Sequence, residues 1–166
     1  MISTMNVEPP LRPPAHRVSP RAVRWWQLRA LPWLVVLGAP QLVMLLTTGA
    51  PVWPWTLAAT VVGVLAYLLV VPRILFRIHR WEITDEAVYT LSGWLVREWR
   101  IAPISRVQTV DTQHGPLQQL LKLATVTVTT ASSRGAVKIA GLDAGDAAEL
   151  ARTLTETTQA TPGDAT

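Results

Sequence analysis

From Ala30 to Pro72 the chain runs through apolar and neutral side chains without one Asp, Glu, Lys or Arg. A bilayer's hydrocarbon core takes about 20 apolar residues per helix, so this block is too long for one span and suits two with a tight turn. A charge at mid-bilayer costs about 2.5 kcal/mol or more on insertion scales, so a long block that avoids every charge points to lipid as its solvent. The spans are expected at about 30–48 and 52–71, with Gly49-Ala50-Pro51 as the turn. Pro40 predicts a kink in the first span, and Gln41 beside it is expected to bond the partner helix. A transporter or pump would carry an ionisable acid or base within a span, and neither span has one.

After Pro72 the pattern changes to short alternating runs. Strands are expected over Ile78–Ile83, Ala87–Leu91, Leu95–Ile101, Ile104–Thr112, Thr125–Thr130 and around Val137–Ile139, the fourth less regular and bulged. Thr125–Thr130 alternates most cleanly, with valines on one face and threonines on the other. Thr84-Asp85-Glu86 and Ser132-Ser133-Arg134-Gly135 read as turns, and Trp94 and Trp99 as core residues first and interface anchors second. Gly115-Pro116 opens a short helix whose apolar face is Leu117, Leu120 and Leu121, with Leu123 next in line. Those leucines either cap the sheet assembly or project toward membrane or a partner subunit. A second helix opens at Asp143, an N-cap with Asp146 completing a near capping box, and Ala147, Leu150, Ala151 and Leu154 form its stripe. Six or seven strands and then one amphipathic helix is the order of a pleckstrin-homology-like barrel or sandwich. The whole is an α+β membrane protein, a two-helix hairpin followed by an antiparallel β-domain capped by a C-terminal helix.

Charge refines the picture. The 166 residues carry +4 overall, but eight arginines against Glu8 precede residue 81, and seven Lys/Arg against ten Asp/Glu follow it. The β-domain is therefore acidic. A nucleic-acid partner, which needs a basic patch on the folded domain, is not expected. Arg21, Arg24, Arg29, Arg73, Arg77 and Arg80 flank the apolar block, and its turn has no charge. The positive-inside rule then puts both termini in the cytoplasm. Trp25 and Trp26 would sit at the inner interface, and Trp53 and Trp55 at the outer one. The expected organisation is a disordered tail over 1–20, a transmembrane hairpin over 21–77, a PH-like domain over 78–157 and a polar tail over 158–166.

The run from Ile104 to Leu123 (ISRVQTVDTQHGPLQQLLKL) strongly resembles the bacterial PH-domain family, also called YdbS-like. Ala124–Ala131 and Ala140-Gly141-Leu142 share the resemblance, which covers roughly residues 21–156. It implies an N-terminal membrane hairpin before one such domain, often beside a larger relative with several, and it implies no activity. One departure is Lys122-Leu123, where the family often has a glycine.

Candidate chemistry is sparse. The chain has no cysteine, which excludes disulfides, thiolate zinc sites and a cysteine nucleophile. His16, His79 and His114 show no ligand or triad spacing. Phosphoinositide recognition would need converging cations, and the Thr84-Asp85-Glu86 turn, taken as the loop between the first two strands, would repel phosphate. No cofactor, metal, small-molecule substrate or enzymatic activity is expected. The expected role is a bacterial cell-membrane, multi-pass interaction module. Its partners would be the lipid bilayer and either a second copy or a related PH-domain membrane protein, with Leu117, Leu120 and Leu121 as candidate interaction surface. The alternative is an anionic-lipid-responsive envelope-stress accessory.

Overall fold

Two helices fill the charge-free block and overrun it at one end. In the computed structural model, which describes residues 12–131 and 135–160, α1 spans Arg21–Thr48 and α2 spans Val52–Ile78. At 1.5 Å per residue each is about 40 Å long, more than a hydrocarbon core requires. They pack side by side, and Gly49-Ala50-Pro51 turns the chain between them. Gln41 Nε2 donates to Thr60 Oγ1 across the pair at 2.8 Å and to Leu37 O at 2.9 Å, the partner-helix bond its polarity predicts. Near the other end, Gln27 Nε2 donates to Leu68 O at 3.0 Å.

The β-domain is a sandwich of two antiparallel sheets. One has the order β1 (His16–Arg17), β2 (Arg80–Ile83), β3 (Ala87–Ser92), β4 (Glu98–Pro103). The other has the order β5 (Val107–Gln113), β6 (Leu123–Thr130), β7 (Val137–Asp143). The sheets are not closed into a barrel. A 3-10 turn at Ile104–Arg106 links them, and the irregularity expected in the fourth run is a register shift between Val107 and Thr109. The valine face of β6 turns inward: Val126 and Val128 are fully buried with Val88, Ile139 and Leu142. Helix α4 (Ala144–Ala160) lays Ala147, Leu150 and Leu154 over this core, as its stripe predicts. The short helix α3 (Pro116–Leu121) lies between β5 and β6.

The structure departs from the sequence reading at several places. Residues 12–20 are not a loose tail. Pro14 and Val18 are buried, His16 pairs with Trp81 and Arg17 with Arg80, and Arg12 meets Glu82 at 2.7 Å. Backbone pairing and the Glu82 carboxylate, which also accepts from Ala15 N at 3.0 Å, hold a strand with no periodicity of its own. The first strand of the sandwich therefore precedes the helices, and the hairpin is an insertion between β1 and β2. Residues 1–11 lie outside the described residues, as do Ser132–Arg134 of the expected β6–β7 turn and the last six residues of the expected tail.

Leu95, Val96 and Arg97 are not in a strand. The chain turns over 93–97, and β4 begins at Glu98. Gly93 forces this: its φ is +94°, and a Cβ there would meet Val96 O at 1.9 Å. Leu123 belongs to β6, fully buried, rather than to the α3 face. Lys122 ends α3 in the left-handed region at φ 56°, which explains why a glycine suits that position. Asp143 stands directly before α4 as expected of its N-cap, but it also closes β7, and its Oδ1 accepts from Arg21 Nη1 at 3.2 Å. At the other terminus α4 carries helix through Thr157 and Thr158 to Ala160.

Candidate membrane interface

Strand register places a set of segments at one end of the sandwich. β1 leads within a few residues into α1, and α2 ends two residues before β2 begins, so both helices enter at this end. Arg80 at the start of β2 pairs with Leu91, and Ser92 pairs with Glu98, so the β3–β4 turn shares it. Ser19 N donates to Gly141 O at 2.9 Å, and Ala144 N donates to Lys122 O at 3.0 Å. The end of β7 and helix α3 are thereby brought to the same place. The acidic Thr84-Asp85-Glu86 turn joins β2 to β3 at the opposite end. This corrects its reading as the loop between the first two strands, since the hairpin fills that connection.

The six flanking arginines divide. Arg24, Arg29, Arg73 and Arg77 stand on the helices just outside the charge-free block. The Arg29 guanidinium lies 6.0 Å from the Trp25 ring, and Arg73 Nη1 donates to Leu69 O. Arg77 occupies the last turn of α2, where a cation meets the negative end of the helix dipole. Arg21 and Arg80 are instead engaged by the domain, Arg21 by Asp143 and Arg80 by Pro14 O at 3.3 Å. Trp26 packs against His79 with ring centroids 5.3 Å apart and planes tilted by 55°, and burial pushes the His79 imidazole below its ordinary value against the raising effect of Leu75 O.

Helix α3 stands against α1. Leu121 shares a groove of about 420 Å³ with Arg24, Gln27, Leu28 and Leu31, which straddle Arg29 along α1, and with Leu65 and Leu68 of α2. Leu117 and Leu120 point outward, 37% and 78% exposed. Leu123 is fully buried at the start of β6, while Gln118 pins α3 by accepting from Gly115 N and donating to Thr125 Oγ1. The three leucines therefore face the helices and their surroundings rather than capping the sandwich.

Trp94, Leu95, Val96 and Trp99 are exposed, at 47%, 77%, 78% and 37%, against the expectation that the tryptophans are core. Apart from α1 and α2, every exposed large apolar side chain among the described residues lies in this turn and strand or in α3. The signal in the sequence was Ser92-Gly93, a break that detaches Trp94-Leu95-Val96 from the strand pattern after it.

Along the helices the usual burial rule is inverted. In the most apolar window of each, only 6% and 17% of residues are buried, where a soluble core helix would be mostly buried. No group of three or more His, Cys, Asp or Glu among the described residues is placed to share a metal ion. His114 Nδ1 lies 3.0 Å from Leu123 O, a structural contact.

Two long lipid-compatible helices set into a PH-like sandwich define a membrane-associated PH-domain protein. The chain belongs to the bacterial PH domain family, whose model matches residues 28–158. It is similar to the transmembrane protein YdbS of Bacillus subtilis (strain 168), with 26% identity over 129 residues, covering 72% of this chain and 79% of that protein. No solved structure matches it.

Proposed function

We propose that this is a two-pass membrane protein with both termini in the cytoplasm, whose PH-like domain works as a non-enzymatic scaffold beneath the membrane. It assembles there with a second copy or with a related PH-domain membrane protein. The observation that carries the reading is the joint placement of charge and apolar surface. Both helices expose apolar faces over the charge-free block, and arginines gather only at the end that bears the domain. The positive-inside rule turns that asymmetry into an orientation.

Assembly is supported by a cleft of about 550 Å³ between α1 and α2, lined by Trp26, Arg29, Trp33, Gly63 and Tyr67 among others. Gly63 leaves open space where a further helix can approach closely. Crosslinking in native membranes followed by mass spectrometry tests the proposal, with a homomeric or PH-domain partner expected. Recovery of monomer alone would count against it. A C-terminal reporter that is active only in the cytoplasm tests the orientation separately.

Arg24, Arg29, Arg73 and Arg77 favour a second reading, a protein that responds to anionic lipid, since each cation near an anionic surface contributes about 1 kcal/mol. A partner-free monomer whose domain protection rises with anionic lipid and falls with salt would support that reading instead.

A further inference from the structure

We infer that the β3–β4 turn, Gly93–Arg97, inserts Trp94, Leu95 and Val96 into the bilayer at its headgroup–acyl boundary. The domain is then fixed against the membrane by this turn on one side and α3 on the other. The inference rests on the reading of α1 and α2 as membrane spans, but not on which side the domain faces.

Three observations carry it. First, exposed large apolar side chains on the domain are confined to the end where the helices enter, and none of those described lies at the opposite end. Scattered exposed apolar residues are ordinary, whereas a cluster at one place marks an interaction surface. Second, the distances match. The six residues of α2 from Arg73 to Ile78 lift the sheet about 9 Å from the edge of the charge-free block. The tight turn over 93–97 carries its exposed side chains back into that gap. The headgroup layer is itself about 5–7 Å deep on each face. Third, the turn is built to present these side chains. Closure at Gly93 leaves room for no other residue and throws Leu95 and Val96 outward. Indoles favour the headgroup level, where an apolar ring and a polar N–H are both satisfied, and the exposed Arg97 guanidinium is placed for lipid phosphate.

The surface is continuous with the helices' own lipid-facing sides, and this argues for lipid rather than a protein partner as its occupant. α3 already reaches the level of Leu28 and Leu31 along α1, astride Arg29, so the domain end lies at interfacial depth.

The cysteine-free chain permits a direct test. Single substitutions Leu95→Cys, Val96→Cys, Asp85→Cys and Val62→Cys are labelled with an environment-sensitive fluorophore in the full chain. The chain is placed in nanodiscs of phosphatidylcholine and phosphatidylglycerol, with or without brominated acyl chains. Positions 95 and 96 are exposed, so the labels leave the core intact. Labels at 62, 95 and 96 are expected to lose most of their emission to bromine, while the label at 85 keeps its own. Quenching at 62 with emission at 95 and 96 as strong as at 85 overturns the inference. Labels at 95 and 96 that are shielded from a water-soluble quencher but untouched by bromine also overturn it, because protein would then cover the turn. An unquenched label at 62 overturns the spanning reading itself, and the inference with it.

Discussion

Gly141 is the point at which the domain locks onto the helices, and Gly141→Ala is expected to break that lock. Its φ is +82°, a conformation that costs a residue with a Cβ about 1–2 kcal/mol. The new methyl would also lie 2.8 Å from Ala22 Cβ, where Ala22 is fully buried in the first turn of α1. Neither partner is the flexible end of a long side chain, so relief requires backbone movement, and overpacking of this kind costs about 1–3 kcal/mol. Together the two effects predict a loss of about 2–5 kcal/mol, a large part of the roughly 5–15 kcal/mol that holds a domain folded. The movement would also strain the Ser19 N to Gly141 O bond, so residues 12–20 should loosen with the junction.

Pulse proteolysis under increasing urea, on the full chain in nanodiscs, measures the loss, and hydrogen exchange locates it. The two contributions are separable. Ala22→Gly costs about 1 kcal/mol in the helix but removes the clash. In that background Gly141→Ala should cost only the backbone strain of about 1–2 kcal/mol. Equal costs in both backgrounds would refute the contact, and a neutral Gly141→Ala would refute the whole account of the junction.

Three further outcomes are expected. Leu154→Ala on α4 empties a fully buried site over the sandwich core and should cost about 2–5 kcal/mol by urea unfolding, with the helices unaffected. Lys122→Gly should stabilise by up to about 1 kcal/mol in a thermal melt, because relief of the left-handed strain exceeds the added freedom of the unfolded chain. His79 is held below 6.5 chiefly by burial, so the folded protein prefers it neutral. Its contribution to stability is full above about 6.5 and is lost as pH falls through the lowered folded value, and His79→Gln should flatten the melting temperature across that window.

Elements whose periodicity reflects a one-sided environment were legible in the sequence. The valine-threonine alternation of β6 and the Ala147–Leu154 stripe of α4 each have a dry face and a wet one, and both formed as patterned. β1 was not legible, because its two residues are both exposed and its partners Arg80 and Trp81 lie more than sixty positions away. Nothing local distinguishes His16-Arg17 from a proline-rich tail, and the strand exists only through tertiary pairing. The preference for Trp94 and Trp99 as core over interface failed for another reason. Assigning an aromatic to the core assumes that the alternative is water. On the inference that this end of the domain meets lipid, the alternative solvent is apolar, and exposure costs an indole little there.

The insertion of the hairpin between β1 and β2 changes what the anchor does. A hairpin placed before a complete domain would leave one flexible tether, and the domain would swing about it. Here the chain leaves the sheet at Arg17 and returns at Arg80, and those two residues are paired with each other in the register. The helices therefore emerge from adjacent strands, and the pairing that closes the sheet also closes the base of the hairpin. Ala22 against Gly141, Arg21 against Asp143 and Leu121 in the α1–α2 groove extend that base onto the second sheet and α3. The base of the hairpin is thus held by both sheets and α3, so the domain is fixed to α1 and α2 at adjacent paired strands rather than by one tether.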